Sequence, residues 1–316
     1  MKPQRSYLLF KQPFVNPLQT SKGIWEERTS LVLRSDHGDG NVSFGEVGSL
    51  PGFWNFDLNA AEKEARFWCE GGCAEDQYTY LSPAITAIKS SIWKAGLASS
   101  VLPQTAKIWE SNLSMKKGVI KRKIGIFPLE DEIPVVLDWL QKLPVGVRVR
   151  LDPNESFSRE DLLRWTDALS GYSSVEFIEQ PTGPKDDEWL IEFSSTSPIP
   201  IALDEALLRI NLKGDMFAIP SNLYFVIKPI LFSDWQDLHN FCSDKSRKII
   251  FSTSFESPFG YEALIRMSTM SSHSPGLDRS FFCGNVHEFP EHHQPILSSP
   301  AVTNIKLAKL WDSLAK

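Results

Sequence analysis

VRVRLDPNESFSREDLLRWTDALSGYSSVEFIEQPTGPKDDEWLIEFSSTSPIPIALDEA, residues 147–206, carries the pattern that decides the fold. Three short runs of β-forming residues stand in it: VRVRLD (147–152), VEFIEQP (175–181) and IPIALDEA (199–206). Between the first two lies SREDLLRWTDAL (158–169), whose apolar residues return at helical spacing. Strand followed by helix, repeated, argues for parallel strands joined by crossover helices. Each of the three runs also closes on an acid: Asp152, Glu179 and Asp204.

The rhythm extends on both sides. TAKIW (105–109) and GVIKRKIG (118–125) come before the stretch; LYFVIKP (223–229) and KIIFSTS (248–254) follow it. DEIPVVLDWLQKL (131–143) is a second amphipathic connector. Seven such strands, with a weaker eighth near Phe281–Cys283, favour a closed barrel over an open sheet. The spacing is irregular and the runs differ, which argues against a short-repeat solenoid. Upstream, residues 6–47 alternate like strands around the turn His37-Gly38-Asp39-Gly40. Residues 43–53 are a strand end running into a Gly/Pro-rich loop, and 59–69 and 82–97 read as helices. The tail ILSSPAVTNIKLAKLWDSL (296–314) reads as a strand and short helix returning to the N-terminal domain.

Composition narrows the function. The chain has 316 residues, 42% hydrophobic and 23% charged, with a net charge of -6. No basic field for nucleic acid exists, so non-specific polyanion binding is not expected. The four cysteines, Cys69, Cys73, Cys242 and Cys283, form neither a paired zinc pattern nor a dense disulfide framework. They read as reduced thiols of a cytoplasmic protein. The start, MKPQRSYLLFKQPF, has no long apolar core or small-residue cleavage site. No stretch of about 18 apolar residues occurs, so no transmembrane helix is expected.

Chemistry in a parallel barrel sits at the C-terminal ends of the strands. Side chains on a strand alternate, so Lys121 and Lys123 share one face of residues 118–126 with Val119, opposite Ile120, Arg122, Ile124 and Ile126. Two lysines so close need something negative across from them, unless the strand is an edge guarded by lysine. Asp152, Glu179 and Asp204, at the ends of three consecutive strands, supply that charge. Each alone reads equally well as a helix cap. Together they would repel one another at heavy cost unless a cation joins them. Magnesium takes oxygen ligands and keeps positions for water or substrate, so the three read as its ligands. Lys228, at the end of the sixth strand, then faces Lys123 across a common pocket. A metal there binds a substrate carboxylate and stabilises the enediolate left when its α-proton departs. A lysine among other cations has a lowered pKa and acts as a base, and Lys121 is the positive neighbour of Lys123.

This pattern resembles the enolase superfamily, and its muconate lactonising enzyme-like group in particular. That group carries Lys-x-Lys on the second barrel strand, metal carboxylates on the next three and a lysine on the sixth. The resemblance runs nearly the whole chain. It implies an α/β fold, a modified TIM barrel (β/α)7β with an α+β capping domain formed from both ends. The expected division is 1–100 and 289–316 for the capping domain and 101–288 for the barrel. Phe44-Gly45-Glu46-Val47 with Leu50-Pro51-Gly52-Phe53, Ser254-Phe255-Glu256-Ser257 and Gly276-Leu277-Asp278 are similar to the o-succinylbenzoate synthase family within that group. The resemblance implies syn dehydration of 2-succinyl-6-hydroxy-2,4-cyclohexadiene-1-carboxylate, on the route to menaquinone or phylloquinone. Lys123 would take the α-proton and return it to the departing hydroxyl. Lys228 would stabilise the enediolate from the other face, and Lys121 would tune Lys123 and contact the carboxylate. The implied cofactor is Mg2+, with Mn2+ able to substitute. Ser254 and Gly276 would meet the succinyl end of the substrate. Arg150 and Asn154 would stand beside the substrate and ligands, with Glu205 behind them. The loop at Leu50–Phe53 would close over the site. Gln180, where relatives often have a second Glu, follows a ligand rather than being one. Pro153 and Pro258 stiffen loops.

Other signals are weaker. His287-Glu288-Phe289-Pro290-Glu291-His292-His293 lacks the zinc-helix spacing and contains a proline. Cys69 and Cys73 read as structural or incidental. His37 reads as solvated, and Trp25 and Trp54 as possible pocket lining. No P-loop, dinucleotide or nucleophile-elbow glycine pattern occurs. The main rival is a dipeptide epimerase or N-acylamino acid racemase, which uses the same two lysines. Asp278-Arg279, one acid and one base where those epimerases tend to carry Asp-x-Asp, favours an anionic substrate. A non-catalytic binding barrel is the remaining class. The partner is a small carboxylate, with no nucleic acid or membrane, and the oligomeric state stays open between monomer and homo-oligomer.

Overall fold

The computed structural model describes residues 3–20, 23–38, 41–49, 56–72, 78–94, 97–110, 115–210, 222–279, 282 and 297–315. The chain begins with an antiparallel sheet, β1 (Gln4–Thr20), β2 (Gly23–Asp36) and β3 (Val42–Gly48), in that order. Leu31, Leu33 and Val47 pack on Ala61, Ala65 and Trp68 of the helix Leu58–Cys69 and on Ala84 and Ile85 of the helix Ser82–Lys89. Asp57 starts the first helix, its carboxylate accepting the Ala60 N–H at 3.0 Å. The second ends at Lys89, short of the expected 97, because Ser90 turns to extended backbone and caps a separate turn, Ser91–Trp93. A Cβ on Gly45 would lie 1.9 Å from the carbonyl oxygen of Ala84, so only glycine lets β3 and this helix meet.

The expected strand–helix rhythm forms a parallel sheet. Its strands are β5 (Lys107–Ile108), β6 (Gly118–Lys123), β7 (Val147–Asp152), β8 (Val175–Glu179), β9 (Ile201–Leu203), β10 (Tyr224–Ile227) and β11 (Lys248–Phe251), each beside the next. Helices Leu129–Gln141, Arg159–Leu169 and Trp235–Ser243 cross between them. Leu162, Trp165 and Leu169 are buried on the second of these, matching the spacing that suggested it. The eighth strand is expected near 281–283. Residues 281 and 283 lie outside the described residues, and Phe282 bridges Phe14 of β1 in antiparallel fashion. Among the described residues the ring closes at Gly276: its N–H donates to Phe251 O at 2.8 Å and its carbonyl accepts from Thr253 at 2.9 Å. On the other side Pro275 O accepts the Ala106 N–H at 2.8 Å. Two prolyl and glycyl residues make too brief a run to announce a strand in the sequence.

Phe177, Ala202, Tyr224, Val226 and Ile250 form one buried cluster of strand residues. Outside the barrel, Arg122 lies over the rings of Trp109 and Trp139, at 4.3 and 4.6 Å. This is the alternation that sends Lys121 and Lys123 the other way. At the C-terminal end, β12 (Ser298–Ser299) pairs with β4 (Ser100–Val101). The helix Asn304–Leu314 lays Trp311 against both Phe44 of β3 and Phe259 of the barrel helix Pro258–Ser268. No helix among the described residues is long and apolar enough to cross a membrane.

Candidate active site

The register of the parallel ladder brings the strand-end charges together. Lys121 pairs with Arg150 and Lys123 with Asp152 across β6 and β7, and Glu179 with Ala202 across β8 and β9. Lys121 Nζ lies 2.9 Å from Asp152 Oδ2 and 2.7 Å from Glu179 Oε1. Lys228 Nζ touches Asp204 Oδ2 and stands 3.9 Å from Glu205 Oε1. Two ammonium groups, from β6 and from the residue after β10, thus join the ends of β7, β8 and β9. Lys123 is exposed and stands beside Asp152 on the neighbouring strand.

The electrostatics follow from burial and crowding. Burial, then Asp152 and Asp204 nearby, push Glu179 up to about 7 despite Lys121. Burial and the neighbouring Glu205 push Asp204 up to about 6 despite Lys228. Burial raises Glu205 as well. Asp152 goes the other way: burial opposes its charge, but Lys121, Lys123 and Lys228 together hold it below the usual range. Burial alone would lower Lys121, yet Asp152, Glu179 and Asp204 outweigh it and raise its pKa. Both members of the Lys121–Glu179 pair therefore move upward. The geometry carries the lysine's direction, since an ammonium touching two carboxylates keeps its proton. Lys228 is raised too, because Asp204 and Glu205 outweigh burial. Lys121 is consequently a charged bridge, not a bare positive neighbour of Lys123.

These residues fit a hard divalent cation by the chemistry of the donor set. Four acids, Asp152, Glu179, Asp204 and Glu205, crowd around only two ammoniums, Lys121 and Lys228. All the candidate donors are oxygens, as magnesium prefers. As placed, no three acidic, histidine or cysteine side chains among the described residues form a ready metal cage. The reason is visible: each carboxylate is turned to a lysine, which stands where the cation charge is needed.

The supporting residues divide. Asn154, in left-handed backbone at φ 52°, directs its N–H to Asp152 Oδ1 at 3.1 Å and its amide to Glu205 Oε1 at 3.5 Å. Arg150 is not with them. It is buried, donates to Glu176 at 2.9 Å and lies 5.1 Å over the Phe177 ring, so its charge is spent on packing deeper in the barrel. Ser254 is buried and gives both its N–H and hydroxyl to Glu256, at 2.9 and 2.7 Å, leaving no free donor for a substrate. Gly276 forms the barrel closure beside Ser252. Arg279 is likewise committed: it donates to Glu256 O and to Gln12, at 2.8 and 3.2 Å. The base that follows Asp278 is thus tied into the packing between the sheet and the barrel. Trp25 packs edge-on against Phe255, at 6.2 Å between rings. His37 lies in an exposed turn, its ring 3.3 Å from the Ser43 hydroxyl. Leu50–Phe53, Trp54, Cys73, Cys283 and the 287–293 segment lie outside the described residues, and Cys69 and Cys242 are free thiols.

Gln180 was underread from the sequence. Its side-chain oxygen accepts the N–H groups of Asp204 and Ala206, at 3.0 and 3.1 Å, and its amide donates to Thr182 O at 3.2 Å. Its position directly after Glu179 was the available signal.

Comparison with known proteins agrees with this architecture. Residues 111–218 match the family described as enolase C-terminal domain-like. The chain is 26% identical over 281 residues to o-succinylbenzoate synthase of Thermosynechococcus vestitus, covering 82% of this chain and 86% of that protein. It is 27% identical over 279 residues to the Haemophilus influenzae protein of the same name, covering 80% and 82%. The solved o-succinylbenzoate synthase from Thermosynechococcus elongatus, with magnesium in its active site, superposes with a TM-score of 0.72 at 22% identity, covering 98% and 99% of the two chains. Muconate lactonizing enzyme from Pseudomonas putida gives 0.69 at 15% identity over 99% of each chain. Barrel order and the capping sheet agree with these likenesses, and the fold is that of the enolase-like barrels with a capping domain.

Proposed function

We propose that this protein is an o-succinylbenzoate synthase, a hydro-lyase that dehydrates 2-succinyl-6-hydroxy-2,4-cyclohexadiene-1-carboxylate on the way to menaquinone or phylloquinone. The observation that carries the reading is the pair of lysine ammoniums, from β6 and from the residue after β10, ion-paired into a buried carboxylate cluster at the mouth of the barrel. Relatives of that name, similar over four-fifths of the chain, support it.

In this reading Lys123, exposed beside Asp152, takes the α-proton from the substrate as the free amine. The electrons of that C–H bond pass into the carboxylate as an enediolate. They then return to form the ring double bond as the neighbouring C–O bond breaks. The ammonium of Lys123 gives its proton to the departing hydroxyl, so one water leaves and no oxidant is needed. Lys228, opposite, holds positive charge against the enediolate. Lys121 holds Asp152 and Glu179 in place and offers charge to the substrate carboxylate. Asp152, Glu179 and Asp204 would hold a magnesium ion, or manganese in its place, which supplies charge stabilisation to a bound carboxylate. Asn154 and Glu205 orient that set. The proposed division is a capping domain of 1–100 with 289–316 and a barrel of 101–288, working in the cytoplasm on a small carboxylate.

The test is direct. Purified protein with magnesium is given the cyclohexadiene substrate and loss of its chromophore is followed, with Lys123→Ala and Lys228→Ala alongside. Turnover that chelator or either substitution abolishes supports the reading. A folded protein without turnover overturns it, and α-proton exchange in dipeptides and N-succinylamino acids then tests the epimerase and racemase alternatives.

A further inference from the structure

Glu46 lies on β3 in the capping sheet, yet its partners belong to the barrel. It is 2% exposed. Its two oxygens accept the Ser257 N–H at 2.9 and 3.0 Å, and Oε2 also takes the Ser257 hydroxyl and, at 3.2 Å, the Gly260 N–H. These donors stand at the start of the helix Pro258–Ser268, the positive end of its dipole, where the helix backbone offers them no acceptor and the Ser257 hydroxyl shares the Gly260 N–H. A buried carboxylate is tolerated only with such partners. The fit is close: a Cβ on Gly260 would lie 2.4 Å from Glu46 Oε2.

The loop before that helix wraps around a second buried acid. Glu256 accepts from Thr253 Oγ1 at 2.6 Å and from both donors of Ser254. Between them Phe255 holds left-handed backbone at φ 65°, costly for an aromatic residue, so the surroundings must impose it. Those surroundings come from the capping sheet. Phe14 and Trp25 meet the Phe255 ring edge-on, and Gln12 takes Arg279, which also binds the Glu256 carbonyl. The loop that follows the seventh barrel strand is therefore fastened to the capping sheet at three places.

We infer that Glu46 is a positioning residue for the extended end of the substrate: by holding Ser257 from across the domain boundary, it sets the 253–257 wall against whatever projects beyond the reacting carbon. The inference rests on the synthase reading, in which the substrate and product carry a succinyl arm. A ligand with that arm meets the wall; one without it does not.

The experiment compares wild type with Glu46→Gln, which keeps the size and one acceptor but loses the charge, and with Glu46→Asp should the first fail to fold. Kinetics on the dehydration substrate are combined with calorimetric binding of o-succinylbenzoate and of benzoate, both with magnesium present. Expected is a rise of about tenfold in KM and in the o-succinylbenzoate Kd, with kcat and the benzoate Kd changed by less than about threefold. An equal loss for both ligands, a fall in kcat alone, or only a lower unfolding midpoint would mark Glu46 as structural and overturn the inference. Wild type without turnover fails the synthase reading and takes the inference with it; active wild type with an unaltered variant fails the inference alone.

Discussion

The side-chain oxygen of Gln180 accepts the backbone N–H of Asp204, 3.0 Å away, so one strand-end residue sets where the acid of the next strand begins. Gln180 itself sits at φ 35°, fully buried, with Ala206 as a second donor to the same oxygen. Gln180→Leu would leave two buried N–H groups unpaired and release the end of β9. The expected cost is about 2–6 kcal/mol of stability, from roughly 1–3 kcal/mol for each of the two orphaned groups. Urea unfolding measures it. Turnover should fall at least as far as Asp204 shifts, and a variant as active and stable as wild type would refute this role.

Three buried acids whose charge is met by two lysines should welcome a divalent ion. Magnesium is expected to raise the melting temperature of the wild type, and Asp204→Asn is expected to lose most of that rise. Scanning fluorimetry with and without magnesium gives the answer. Equal rises in both proteins would remove Asp204 from the ligand set.

Lys121 holds Asp152 and Glu179 at once. Lys121→Met would leave both acids buried without their shared cation, a loss of about 3–5 kcal/mol when one side of a buried pair is removed. Added magnesium should restore part of it. Unfolding curves in chelator and in excess magnesium separate the two parts, and identical curves would count against the site.

Gly45 admits no side chain beside Ala84. Gly45→Ala should cost about 3 kcal/mol through overpacking against backbone that cannot yield. Chemical denaturation reads this directly. A neutral result would mean that β3 and the helix Ser82–Lys89 separate easily.

Asp36 offers a pH test far from the site. The Gly38 N–H, with Arg34 beside it, holds its carboxyl below the usual aspartate range. An acid with a depressed folded pKa stabilises the protein above its unfolded value of about 3.9 and loses that contribution as pH falls through the folded value. Wild type should therefore exceed Asp36→Asn in stability at neutral pH, with the gap closing below about pH 4. A gap independent of pH would exclude the charge as its source.

Much of the fold was readable in advance because parallel barrel strands are short, apolar and end in polar loops. Asp152, Glu179 and Asp204 each close such a run, and Lys121 and Lys123 fall on one face by simple alternation. The helix Arg159–Leu169 announced itself by its spacing. Closure at Gly276 did not, because a two-residue bridge has no period to detect. Gln180 looked like a bystander because its partners, Asp204 and Ala206, are a strand away.

The sequence by itself determined the strand–helix order, the acids at three strand ends and the lysines that flank them, since these depend on local periodicity alone. Only the tertiary structure decided what each charge faces. Arg150 turned to Glu176, Arg279 to Gln12 and the Glu256 carbonyl, Lys121 to two carboxylates, and Glu46 to a helix in the other domain. A buried charge takes whatever partner the fold brings within reach, and that choice depends on contacts between residues as far apart as 267 positions.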